Sequence, residues 1–272
     1  MEPEGTAVVT GASRGIGRAV AIELAARGFD TVASMRNTAD GDDLSGLGLS
    51  GLGPSGIRVE RLDVTDPSSI ALPDGLRVLV NNAGVESDNL PVEYMPLESW
   101  QRLFATNVFG LVEVTKRAVP IMRAAGGGVI CNITSSSTLA PVPFLGTYRA
   151  SKAAVTAIGE SLAAEVAQFG IRVIEIMPGP IETEMLAASD RPPAAVEHAE
   201  YRELAERLWE GRQGIRESYT PAGEAARRIV DAICDDDGPL RYGCDDLSEG
   251  MLAGWNGTDN AQWVRGMLRS FS

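Results

Sequence analysis

The 272-residue sequence predicts an α/β fold, one domain built on a mainly parallel sheet with helices on both faces. Three observations carry this. Short apolar runs alternate with stretches whose apolar residues recur at helical spacing, the pattern of repeated strand–helix–strand units with right-handed crossovers. Polar or glycine signals follow those runs, at Gly11, Arg36, Asp63, Asn81, Ser135 and Pro178-Gly179, and an open α/β sheet binds its ligands at the carboxyl ends of its strands. The length and the 44% hydrophobic content suit one sizeable core.

Thr6 to Thr10 reads as a buried strand, followed by the turn Gly11-Ala12-Ser13-Arg14-Gly15-Ile16-Gly17 and a helix carrying Ile16, Val20 and Leu24 that Gly28 ends. Glycines there allow a close backbone approach and the helix N-terminus offers free N–H groups to a phosphate, although the same glycines also suit a tight βα connection. A second strand, Asp30 to Met35, ends at Arg36. A base at that position suits a ribose 2′-phosphate where an acid would suit a hydroxyl, so Arg14 and Arg36 either serve NADP or are two solvated arginines. Residues 38 to 56, with glycine and leucine alternating through 46 to 53, read as a surface loop with a frayed helical turn. The strand Arg58 to Leu62 leads to Asp63, which either touches the adenine or caps the next turn. Pro67, Pro73 and Gly75 leave room for only a short crossover before the strand Val78 to Val80.

Asn81-Asn82-Ala83-Gly84 closes that strand, with Asn81 either near a ligand or clamping strands together. A helix is expected from Ser99 to about Met122, with Asn107 on its apolar stripe; a buried amide must find partners, within the core or at an internal polar site. Gly128 to Thr134 forms the next strand, Tyr148 to Phe169 the next helix, and Arg172 to Met177 another strand, broken by Pro178-Gly179-Pro180. Residues 184 to 219 read as an insertion with an amphipathic helix around Val196 to Trp209. Thr220 and Pro221 read as the cap and first position of a helix to about Cys234, and Leu240 to Tyr242 as a last strand.

Composition excludes several functions. With 24 basic and 37 acidic residues the net charge is −13, which opposes binding to nucleic acid or anionic lipid. No apolar run has the roughly 18 residues of a membrane span, and the start lacks the basic cap and apolar stretch of a signal peptide, so the cytoplasm is the default expectation. Cys131, Cys234 and Cys244 are too scattered for a disulfide framework or a zinc ligand set, and no metal is expected. The single histidine, His198, reads as a surface residue, which gives a Ser-His-Asp hydrolase little support.

Tyr148 and Lys152 are four residues apart on one helix and so share a face. A lysine cation beside the phenol is expected to lower its pKa toward working pH, so that the tyrosine can give or take a proton. Ser135 ends a buried strand thirteen residues earlier. Thr10-Gly11-x-x-x-Gly15-Ile16-Gly17, Asn81-Asn82-Ala83-Gly84, Asn107, Ser135, Tyr148-x-x-x-Lys152 and Pro178-Gly179 together resemble the short-chain dehydrogenase/reductase family over residues 6 to 183.

The resemblance implies a Rossmann-like, doubly wound sheet and a nicotinamide cofactor, here NADP(H) over NAD(H). It implies Tyr148 as general acid/base, Ser135 as the group orienting the carbonyl, Lys152 as a ribose ligand and Asn107 as part of a proton relay; the thirteen-residue spacing selects Ser135 over Ser136 and Ser137. The cofactor contacts it implies are Gly11, Ser13, Arg14, Gly15, Ile16, Gly17, Arg36, Asp63, Val64, Asn81, Ala83, Gly84, Tyr148, Lys152, Pro178, Gly179, Ile181 and Thr183. It further implies a substrate lid at 184 to 219 and a homodimer or homotetramer paired through the helices at 99–122 and 148–169. Arg149 departs from the small residue often found after the tyrosine. The expected substrate is a small-molecule alcohol or carbonyl compound, bulky and apolar as in the retinol and hydroxysteroid branch. The alternatives are a 3-oxoacyl-carrier-protein reductase and a non-catalytic NADP-binding regulator.

Overall fold

Period-2 alternation within the apolar runs divides the core between two faces. The computed structural model describes residues 1–45, 56–86, 88–188, 191–214 and 216–269. In it β1 (Thr6–Thr10), α1 (Gly15–Arg27), β2 (Asp30–Met35), the short α2 (Asp42–Ser45), β3 (Ile57–Arg61) and β4 (Leu76–Asn81) form the first half. A long helical segment follows as α3 (Leu97–Phe104), a π turn (Ala105–Gly110) and α4 (Leu111–Ala124), then β5 (Gly128–Ile133), α5 (Gly146–Val166) and β6 (Ile171–Ile176). The remainder comprises β7 (Ile181–Glu182), α6 (Glu184–Ala188), α7 (Arg202–Gly214), β8 (Thr220–Pro221), α8 (Ala222–Cys234), β9 (Arg241–Tyr242), α9 (Asp246–Gly257) and α10 (Asn260–Arg269).

The main sheet has seven strands in the order β3-β2-β1-β4-β5-β6-β9, every pairing parallel, and β7 and β8 pair apart from it. The order reverses between β1 and β4, so the two βα turns diverge there and leave a crevice above the strand ends. Val9, Val80 and Cys131 point to one face, where they join Val20 and Leu24 of α1 and Ile229 and Val230 of α8. Val8, Leu79 and Ile130 point to the other, against Val114, Ala118 and Met122 of α4 and Val166 of α5. Each such side chain, fully buried, contributes about 1.5–3 kcal/mol.

Several boundaries differ from the expected ones. The helix placed at 99–122 begins at Leu97, directly after Pro96, and is interrupted by the π turn. The helix placed at 148–169 begins at Gly146; its α-helical part ends at Val166, and a 3₁₀ turn continues to Phe169 before Gly170, at φ +68°, stops it. Thr220 and Pro221 do not open a helix: they pair with Ile181 and Glu182, and α8 starts at Ala222 without a side-chain cap. The amphipathic helix around 196–209 divides into a 3₁₀ turn (Ala194–Glu197), which Pro193 caps, and α7. Thr38–Gly41 and α2 replace the first part of the expected loop and bury Leu44; the glycine–leucine stretch at 46–53 lies outside the described residues. Beyond Tyr242, Asp245 and Ser248 form a reciprocal capping box that starts α9, a signal in the sequence that periodicity alone does not register.

Candidate active site

The turn after β1 is held by hydrogen bonds to the end of β4. The Thr10 hydroxyl accepts from the amides of Asn82 (3.0 Å) and Ala83 (3.1 Å) and donates to the Val80 carbonyl (3.3 Å). The Asn82 side chain donates to the carbonyls of Thr10 (2.9 Å) and Gly11 (3.1 Å). Gly11 and Gly15 adopt φ of +65° and +57°, where a side chain is strained. A Cβ on Gly11 would lie 2.8 Å from the Ala83 Cα, one on Gly15 3.2 Å from the Thr183 methyl, and one on Gly17 2.6 Å from the Gly11 oxygen. The backbone thus forms a cradle without side chains at the α1 N-terminus, where Arg14 occupies the cap position without a side-chain cap bond and no acid sits in the first turn. This arrangement fits a dinucleotide's pyrophosphate.

The other sequence-predicted cofactor residues fall in two groups. Ser13, Ile16, Gly84 and Thr183 border the cradle or the catalytic helix: Ser13 and Ile16 lie in the turn, a Cβ on Gly84 would lie 3.4 Å from Asn107 Oδ1 and 3.6 Å from Lys152 Nζ, and the Thr183 hydroxyl accepts from the Leu186 amide (3.2 Å). Arg36 is exposed, as is Arg14, and neither has a partner among the described residues. Asn81 takes the clamp role, donating to Asn132 (2.9 Å) and Thr115 (3.1 Å). Asp63 caps its turn through the Thr65 amide (2.9 Å), and buried Val64 packs under Gly110 of the π turn. Pro178 accepts from the Ser136 amide (2.9 Å), the Gly179 amide donates to buried Asp245 (2.7 Å), and Ile181 is buried.

The catalytic candidates converge at the ends of β4 and β5. The π turn aims Asn107 inward, where its Oδ1 accepts from the Val85 amide (2.9 Å) and its Nδ2 donates to the Val85 carbonyl (3.0 Å) and to Ser151 Oγ (3.1 Å). Ser135 leaves β5 in an extended conformation, caps a 3₁₀ turn (Ser136–Leu139) by accepting from the Ser137 amide (3.2 Å), and lies near enough to Tyr148 to bear on its pKa. Lys152 is buried, its Nζ donating to the Ile133 carbonyl (2.8 Å) and lying 5.7 Å from the Tyr148 ring centre.

The electrostatics correct one expectation. Burial pushes the Tyr148 phenol well above its usual value and Glu86 adds to this, while nearby Ser135 pulls it down. Burial also pushes Lys152 down to about 8, against the attraction of Glu86 and Glu175. Burial thus raises the Tyr148 pKa, where the lysine was expected to lower it. Glu86, exposed and four residues beyond Asn82, bears no motif signal that would place it beside both groups. Cys131 is fully buried and burial raises its thiol pKa, as suits a core residue.

Two layers border the serine loop. Phe144, at φ +64°, packs with Ala195, Ala205, Tyr201, Leu204 and Leu208, and the Ala195 amide donates to the Asn89 carbonyl (3.1 Å). His198 is half-buried and stacks on Tyr94 with ring centres 3.9 Å apart. On the other flank Leu139 and Met177 join Leu252, Met251 and Trp255 of α9. The resulting surroundings are apolar.

Comparison with known proteins agrees with this geometry. The family model described as short chain dehydrogenase matches residues 5–193. The uncharacterized oxidoreductase YusZ of Bacillus subtilis (strain 168) is 37% identical over 190 residues, 67% of each chain. The 3-oxoacyl-[acyl-carrier-protein] reductase of Synechocystis is 34% identical, covering 66% of this chain and 75% of that one. Estradiol 17-beta-dehydrogenase 2 of Rattus norvegicus is 31% identical, covering 67% of this chain and 50% of that one. A short chain dehydrogenase from Burkholderia cenocepacia J2315, solved in complex with NADP, superposes with a TM-score of 0.76 at 25% identity over 98% of this chain and 99% of that one. With the crevice at the sheet's reversal point and the tyrosine, lysine, serine and asparagine gathered beside it, the chain belongs to the short-chain dehydrogenase family of oxidoreductases, which act on CH–OH and C=O groups.

Proposed function

We propose that this chain is an NADP(H)-dependent reductase of bulky, apolar ketones or aldehydes, also able to run in the alcohol-oxidising direction. The observation that carries the reading is the gathering about Tyr148 of Ser135, which leaves the end of β5, and of Lys152, whose Nζ lies 5.7 Å from the Tyr148 ring centre. The bound nicotinamide would exchange a hydride with the substrate carbon. The protein's part is the proton. Tyr148, protonated across neutral pH by virtue of its burial, donates to the oxygen on which charge develops, and the Ser135 hydroxyl orients and stabilises that oxygen. Lys152 would hold a ribose hydroxyl of the bound cofactor and, through its buried amine, offers a route for replacing the proton; Asn107 fixes the neighbouring Val85 backbone. Gly11, Gly15, Gly17 and the α1 N-terminus would hold its pyrophosphate, with Thr183 close by.

NADP preference is supported by the exposed Arg14 and Arg36, cations at the α1 N-terminus and the end of β2 with no partner among the described residues. Residues 184–219 serve as the lid, and pairing through the helices at 97–124 and 146–166 is supported by Leu97 and Phe109, 66% and 62% exposed. A carrier-protein substrate is disfavoured by the net charge of −13, which repels an acidic partner. A non-catalytic regulator is disfavoured because tyrosine, lysine, serine and asparagine are all present.

A panel of ketones, aldehydes and alcohols with both cofactors, followed by absorbance of the reduced nicotinamide, tests the assignment. Tyr148→Phe should lose turnover by about 10²–10⁴-fold while keeping NADPH affinity; unchanged turnover would sink it. Arg36→Ala should raise the Kd for NADPH about tenfold or more and leave that for NADH unchanged.

A further inference from the structure

Three successive carbonyls of the turn that Ser135 opens accept hydrogen bonds from side chains of other elements. Arg149 Nε donates to the Ser137 oxygen (2.6 Å) and its Nη2 reaches the Thr138 oxygen (3.5 Å). Trp263 Nε1 donates to the Leu139 oxygen (2.6 Å) across 124 residues of sequence. The Ser137 carbonyl also accepts from the Ala140 amide within the turn (3.4 Å), and the donors from α5 and α10 add bonds to it and to the two carbonyls that follow. Arg149 adjoins Tyr148 on α5 and is half-buried. The Trp263 ring rests against Gly254 of α9, where any Cβ would strike the indole, and α9 itself packs on Leu139 through Leu252.

We propose that Arg149 and Trp263 are positioning residues for the reaction, a two-point clamp that holds the serine turn so that the Ser135 hydroxyl stays beside Tyr148. The coupling from turn to hydroxyl is short. Ser135 Oγ accepts from the Ser137 amide (3.2 Å), and the Ser135 carbonyl accepts from the Thr138 amide (3.1 Å) and hydroxyl (2.8 Å), so a shift of residues 137–139 carries Ser135 with it. A displacement of about 1 Å at a reacting group can reduce rate by about 10²-fold. The proposal rests on Ser135 and Tyr148 being the proton-transfer pair.

The test uses the full chain with Trp263→Phe, which keeps a ring and removes the donor, Arg149→Lys, which keeps the charge and removes the fork, Ser135→Ala, and the two double variants with Ser135→Ala. With NADPH and the best carbonyl substrate of the panel, each clamp variant should lower kcat about 5–20-fold with NADPH affinity unchanged. In the Ser135→Ala background neither should lower it further, because the clamp acts through that hydroxyl. A second measurement needs no substrate: the ¹³Cζ resonance of Tyr148 in the NADP⁺-bound protein at neutral pH should move in both clamp variants toward its position in Ser135→Ala. Either clamp variant within twofold of wild type in kcat with an unmoved Tyr148 resonance overturns the proposal. So does an equal further loss in the Ser135→Ala background, or a parallel loss of NADPH binding, either of which makes the residues merely structural. Wild-type turnover in Ser135→Ala would instead overturn the proton-transfer reading itself.

Discussion

The cradle between β1 and β4 and the cover formed by residues 194–214 are built in opposite ways. The cradle is close-packed backbone: the Thr10 and Asn82 side chains tie the two strand ends, and Gly11, Gly15 and Gly17 sit at distances from their neighbours that admit no further atom. The cover is side chain meeting side chain at the surface: Tyr94 bonds Glu200 and stacks on His198, Tyr201 bonds Glu93, and Tyr201 meets Phe144 edge-on with ring centres 6.0 Å apart. A site for an invariant part of a ligand can be closed to variation, whereas a wall for a variable part must tolerate substitution.

Gly17→Ala should break the tight side hardest. Its new methyl would lie 2.6 Å from the Gly11 oxygen and against the Asn82 amide, which cannot both withdraw. We expect destabilisation of about 1–3 kcal/mol by denaturant unfolding and loss of measurable NADPH binding by fluorescence titration; an alanine variant binding normally would show that the cradle has slack.

Lys152→Met probes the boundary between the two regions through pH. Lys152 titrates at about 8 when folded against 10.5 when unfolded, so between those values the unfolded chain binds more protons and stability from this group rises with pH. Tyr148 is shifted the other way, so above pH 10 the folded chain keeps a proton the unfolded chain loses, and stability falls. Urea midpoints from pH 7 to 10 should therefore show a rise in the wild type, worth at most about 3 kcal/mol, that is missing in Lys152→Met. Parallel curves for the two proteins would mean that the amine is hydrated when folded.

Tyr94→Phe should have the smallest effect. Its hydroxyl bond to Glu200 is exposed, and burial contributes little around it. The unfolding midpoint should not move, while KM for substrate changes and KM for NADPH does not. A large drop in stability would place the cover with the core and erase the contrast.

How much of this was legible in the sequence follows the same division. Strands announce themselves by alternation, so the parallel sheet, the glycine turn and the polar residues at strand ends could be located from spacing alone. Asn107 was visible as an amide on an apolar stripe, but not the π turn that aims it. Glu86, Asp245, Arg149 and Trp263 act through partners up to 124 residues away, and no local pattern records such a pairing. The lysine was read as a cation lowering the phenol's pKa; burial, which a sequence does not display for a single side chain, reversed the balance.

The π turn at Ala105–Gly110 makes one residue's worth of chain length a functional quantity. Leu103 before it and Val114 after it are both buried, so the helix keeps its core contacts on either side of the wider turn. Deleting a single residue from that turn would restore an uninterrupted α-helix with both flanking faces still packed, and would swing the Asn107 amide off Val85 and Ser151. In this segment the capacity to fold and the capacity to react are written in different units: the first in which residues are apolar, the second in how many there are.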